Sequence, residues 1–155
     1  MINFNKDLKR GQIGESIFEN LFSNFVAKSK VYAHDFVFTE SAKELCGKTI
    51  EIKTDSYDPN KTGNFFMERF SDSEKETDGG PWRAKGDRVF WYVYVFLANK
   101  TMYVFEIDRL IARLDELCKW LRLSTVKGEG YNPFLTKGYK IPIKDIEDLA
   151  AKVSF

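Results

Sequence analysis

Apolar and polar residues alternate from Gly47 to Asp55, with Ile50, Ile52 and Thr54 on one side and Thr49, Glu51, Lys53 and Asp55 on the other. With β-branched residues filling much of the run, the pattern predicts a half-buried strand. Lys30 to Thr39 alternates as well, Tyr32, His34, Phe36 and Phe38 against Val31, Ala33, Asp35 and Val37, and predicts an antiparallel partner for it. Upstream, Ile13, Ile17, Phe18, Leu21, Phe22 and Phe25 recur at helical spacing and predict a helix from Asn5 to about Val26. Gly14 inside that stripe and Gly11 at its edge are poor helix formers, so they point to close approach of the helix to a sheet.

Turn formers fill Ser56 to Gly63, and a third strand of a meander is expected at Asn64–Phe70. Ser71 to Gly80 is polar and acidic and reads as a loop or lid. Val89 to Leu97 is continuously apolar, the pattern of a central strand covered on both faces. Asn99-Lys100 suits a hairpin turn into a returning strand, Met102–Ile107. Leu110, Ile111, Leu114, Leu117, Cys118 and Leu121 predict a helix from about Asp108 to Leu123. Lys127 to Lys140 reads as a glycine-rich basic loop and Pro142 to Val153 as a short closing helix. The expected architecture is α/β: one domain over 1–155, with a core at about 5–107, a mixed central sheet flanked by helices, and a helical and loop C-terminal extension over 108–155.

Composition adds little until it is read locally. The 155 residues carry a net charge of only +1, so a polyanion partner needs local clusters of cations. One such cluster is Trp82, Arg83, Lys85 and Arg88, where cations beside an aromatic ring suit phosphate contacts and base stacking; the alternative is a surface helix whose Trp82 packs on the core. Cys46 and Cys118 are far apart and make neither a disulfide scaffold nor a zinc site. No run is long and apolar enough to span a bilayer and no leader is evident, so no membrane partner and a cytoplasmic setting are expected.

The candidate chemistry sits on the alternating strands. Asp35 is a carboxylate on an apolar face, where a charge is costly unless paired or bound to metal. Glu51 and Lys53 share one strand face, and Glu15 borders the helical stripe. Mg²⁺, for which Mn²⁺ can substitute, takes oxygen ligands and keeps several waters, so Asp35 and Glu51 suffice as side-chain ligands. The Ile52 carbonyl, though it points away from the side-chain face, can reach a metal at a strand end. Lys53 is placed to orient a water and stabilise charge. His34, the single histidine, reads either as a packed ring or as a participant. Acid-x-Lys alone is weak: Asp7-Leu8-Lys9 repeats it on the first helix with no acid before it, and Glu40 and Glu44 are rival acids.

In context, these residues resemble the PD-(D/E)XK nuclease superfamily, with its restriction-endonuclease-like fold, over roughly Lys9 to Ile107. The resemblance is to small bacteriophage-encoded endonuclease-like proteins, through Gly63-Asn64-Phe65-Phe66-Met67-Glu68 and Ala84-Lys85-Gly86-Asp87. It implies that Asp35 is the motif aspartate, Glu51 and Lys53 the E-x-K pair, Glu15 the helix-one acid, Glu68 an accessory acid and Lys85 a basic residue near substrate. His34 stands where the motif has proline. The implied function is Mg²⁺-dependent hydrolysis of DNA phosphodiesters, in the host cytoplasm if the chain is phage-encoded. A homodimer would place two such sites on two strands. The rival readings are a non-catalytic nucleic-acid-binding module and an interaction protein whose Glu51–Lys53 pair is a surface ion pair.

Overall fold

The computed structural model describes residues 4–125 and 135–155, so Lys127 of the expected basic loop lies outside the described residues. In chain order the elements are α1 (Phe4–Phe22), β1 (Val26–Lys28), β2 (Phe36–Phe38), a 3-10 turn at Glu40–Leu45, β3 (Thr49–Asp55), α2 (Pro59–Thr62), β4 (Asn64–Asp72), β5 (Thr77–Asp78) and α3 (Gly80–Gly86). They continue as β6 (Trp91–Phe96), β7 (Thr101–Glu106), α4 (Ile107–Leu117), β8 (Ser124–Thr125), β9 (Lys137–Pro142), α5 (Ile143–Ile146), a 3-10 turn and β10 (Ala150–Ser154). Two sheets form: six strands in the order β1-β2-β3-β6-β7-β10, and four in the order β5-β4-β9-β8. The larger is mixed, since β3 pairs parallel with β6 while its other neighbours run antiparallel.

The larger sheet is covered on both faces, which is why β6 is apolar at every position. On one face α1 lays Phe18 against Phe36, Ile50, Val93 and Val95. On the other, Tyr92, Tyr94, Phe96 and Phe105 pack on Phe65 and Met67 of the smaller sheet and on Leu110 and Leu114 of α4. Gly14 sets the height of α1: a Cβ there would lie 1.9 Å from Thr54 Oγ1. Gly11 meets nothing within 4 Å, so only one of the two glycines marks a close approach. The apolar stripe is also wider than the buried face, for Ile13, Leu21 and Phe25 stay about half exposed.

Several expectations need correcting. The alternation over Lys30–Thr39 is not one strand. β1 pairs with β2 at Val26↔Phe38 and Lys28↔Phe36, so the chain between them is a loop, closed by Ser29 N–H donating to the Asp35 carbonyl. Tyr32 in that loop is fully exposed. β4 is no third strand of a meander: β3 has β6 on its far side, and β4 starts the second sheet by pairing with β9. Ser71–Gly80 is not an irregular lid, because it closes as a hairpin between β4 and β5, with Arg69 pairing to Asp78. Finally, Pro142–Val153 is helical only over Ile143–Ile146 and then a 3-10 turn; Ala150–Ser154 becomes the edge strand β10 along β7. Nor is the described part of the expected basic loop irregular, since Lys137 and Lys140 lie on β9, and the segment beyond 107 supplies strands to both sheets.

Candidate active site

The site forms where β2 stops beside β3. Asp35 N–H donates to the Ile50 carbonyl at 2.9 Å, and with Phe36 opposite Ile50 that bond is the last of the ladder. The next backbone groups of β3 on this side belong to Ile52, and no strand residue faces them. The Asp35 carboxylate takes the place of one: Ile52 N–H donates to Asp35 Oδ2 at 2.7 Å. In a strand the N–H and C=O of one residue point to the same side. The Ile52 carbonyl therefore opens onto the edge that holds the Asp35 carboxylate. Asp35 lies in the plane of the sheet, half-buried, rather than on the apolar face that alternation suggested.

Glu51 and Lys53 lie on the sheet face turned away from α1, opposite Tyr92 and Tyr94 of β6 in the parallel register. The Glu51 side chain is 18% exposed. Burial pushes its carboxyl up to about 8, and the neighbouring Asp35 charge pushes the same way, against the opposing pull of Arg83. Asp35 is raised too, first by burial and then by Glu15, with the Ile52 N–H pulling it back. Glu15 reaches this edge from the α1 side and is held by Lys28 of β1 at 3.3 Å. Burial above all, with mutual repulsion adding to it for Glu51, therefore favours the protonated form at this acid pair.

Two groups that sequence reasoning did not place here complete the cluster. Arg83 reaches from α3 to Glu51 Oε1 at 3.3 Å, although its position suggested only contact with nucleic acid. Tyr92 is buried, and its hydroxyl is raised first by burial and then by the charges of Glu51 and Glu68. Its sequence signal was only a tyrosine in an apolar strand; the register with Glu51 comes from the β3–β6 pairing. Glu68 lies against Gly79, where a Cβ would come within 2.3 Å of its Oε1, so it also seats the start of α3. Lys53 is half-buried and makes no ion pair among the described residues.

The remaining sequence candidates fall outside this cluster. Trp82 has the packing role: its ring meets Tyr139 and the Arg69 guanidinium, and its N–H donates to Asp115 at 3.1 Å. Lys85 pairs with Asp108 at the start of α4. Arg88 is exposed beyond α3, with a left-handed backbone at φ 59°.

Among the described residues no three His, Cys, Asp or Glu side chains converge closely enough to hold a metal by themselves. Two carboxylates that repel each other in a half-buried place, with a carbonyl opening onto the same edge, still form a hard-oxygen donor set. Such a set fits Mg²⁺, which fills its other positions with water or substrate phosphate oxygens. No family model matches the chain, and neither does any curated protein or solved structure.

Proposed function

We propose that the protein is a metal-dependent deoxyribonuclease of the PD-(D/E)XK type, hydrolysing DNA phosphodiester bonds. The observation that carries the reading is the Asp35 carboxylate on the Ile52 N–H, beside Glu51 and with Lys53 on the face of Glu51. Asp35, Glu51 and the Ile52 carbonyl would hold Mg²⁺ or Mn²⁺. When bound, the ion acidifies a water and withdraws charge from the phosphoryl oxygens. Lys53 Nζ hydrogen-bonds the attacking water and then faces the charge that grows on the phosphoryl group. The water oxygen forms the new P–O bond, the bond to the leaving sugar oxygen breaks, and the water's proton goes to solvent. Arg83, released from Glu51, is free to clamp a phosphate, a geometry that suits guanidinium. Glu15 holds Lys28 and loads Asp35 with further negative charge, which favours a cation at the edge.

The assay is plasmid, branched and single-stranded DNA with Mg²⁺ or Mn²⁺, each repeated with EDTA. Metal-dependent cleavage that Asp35→Ala and Lys53→Ala abolish supports the reading; equal cleavage by parent and variants, or none by the parent, sinks it. The Arg83–Glu51 ion pair favours a second reading, a non-catalytic nucleic-acid-binding module in which Glu51 is neutralised without metal. Mn²⁺ titration followed by calorimetry separates the two: the nuclease site takes up the ion and the binding module does not.

A further inference from the structure

A half-open cleft of about 550 Å³ adjoins the acid cluster at the N-terminal ends of β3 and β6. Its wall includes His34, Lys48, Thr49, Arg88 and Phe90. Thr49 lies on the same strand face as Glu51 and two residues before it, about 7 Å along a strand. Asp87 lines the cleft as well. Building on the nuclease reading, we propose that this cleft receives an unpaired nucleotide next to the scissile phosphate, so that the substrate is DNA with a single-stranded end or branch.

The lining carries three cations, Lys48, Lys85 and Arg88, against two acids, Asp87 and Asp108, beside the Phe90 ring. Lys48 and Arg88 are exposed cations without an acidic partner among the described residues, and serve the phosphate. Lys85, in contrast, is held by Asp108. Phe90 is an aromatic ring at the cleft, covered by the Lys48 ammonium at 4.0 Å, which a stacking base would have to displace. Base and aromatic ring stack without regard to sequence. His34 borders the cleft, and its Nδ1 is buried without a hydrogen-bond partner among the described residues. The volume of about 550 Å³ falls within the range of small-molecule pockets, which suits one splayed nucleotide. Arg88 takes a left-handed backbone that glycine adopts without penalty, held by its N–H on the Lys85 carbonyl at 3.1 Å.

The experiment is fluorescence anisotropy of a labelled duplex with a single-stranded overhang against the blunt duplex, in Ca²⁺, so that cleavage is not read. The parent should bind the overhang at least about tenfold more tightly, the difference expected from several phosphate and stacking contacts. Lys48→Ala and Arg88→Gly together should weaken overhang binding more than blunt-duplex binding, so that the preference is lost. Arg88→Gly alone should raise the melting temperature while weakening overhang binding, two effects of opposite sign that a merely structural arginine would not give. Equal parental binding of both DNAs, or a preference that survives the double substitution, overturns the proposal. The nuclease reading fails separately, by absence of metal-dependent cleavage, and Glu51→Gln should lose cleavage while keeping the overhang preference.

Discussion

The two ends of β3 present acids on the same face, yet handle them in opposite ways. At the C-terminal end, Asp55 accepts from the Tyr94 hydroxyl at 2.7 Å and from Tyr57 N–H at 2.8 Å. The Tyr94 oxygen in turn accepts from Phe66 N–H at 3.2 Å, tying the two sheets together. Every member of that network has a partner, and such networks stiffen a core. At the N-terminal end, Glu51 faces another carboxylate and an arginine that is half in solvent. One strand therefore carries a satisfied acid that builds the fold and an unsatisfied pair that burdens it. A burden of this kind is what a cation would relieve, and sites with perturbed acids are where chemistry is sought first.

The largest test of the contrast is catalytic. Asp35→Asn or Glu51→Gln should lower cleavage on the order of 10³-fold, the scale for losing one preorganised charge-stabilising group. Asp55→Asn should change it less than about threefold once folding is matched by circular dichroism. Comparable losses at both ends would erase the distinction.

The next test is pH. The folded-state carboxyl of Glu51 is raised to about 8 from an ordinary 4.5, and Asp35 shifts the same way. The unfolded chain therefore releases these protons first, and stability falls as pH rises between those two values. Without divalent cation, the melting temperature should drop from pH 5 to pH 9. Glu51→Gln should flatten the drop and be more stable than the parent at pH 9. Because binding must expel the proton, Mg²⁺ affinity should rise with pH and level off above about 8, read by calorimetry.

Tyr94→Phe tests the other end. It leaves the Phe66 N–H without that acceptor and Asp55 without that donor, at about 1–3 kcal/mol in urea unfolding. The nuclease reading leaves its metal affinity unchanged. The smallest effect is expected of Arg83→Ala. The guanidinium is exposed, so its loss should alter stability by less than about 1 kcal/mol. It should tighten Mg²⁺ a few-fold by removing a competitor for Glu51, and weaken DNA binding measured in parallel.

Sequence pattern revealed what is local. The alternation of β3, the β6–β7 hairpin and the apolar face of α4 are written in short-range periodicity, and Glu51 and Lys53 share a face because a strand repeats every two residues. What it could not reveal depends on partners distant in sequence. Ala150–Ser154 has no strong preference of its own, and β7 makes it a strand. Asp35 looked like a buried side chain because alternation carried it into a strand; the β1–β2 hairpin ends that strand and turns the carboxylate to the backbone of Ile52. Arg83 meets Glu51 only because β6 lies beside β3 and α3 precedes β6.

That parallel junction also has a kinetic meaning. β2 and β3 are joined by the short stretch Thr39–Lys48, while β6 waits until β4, β5 and α3 have been traversed. Local hairpins close early and distant parallel pairs close late. If β2 and β3 pair before β6 and α3 dock, Asp35 and Glu51 would lose water only at that later step, and the acid pair would then oppose assembly more strongly as pH rises. In a chevron analysis without divalent cation, raising the pH should slow the refolding arm more than it steepens or lifts the unfolding arm.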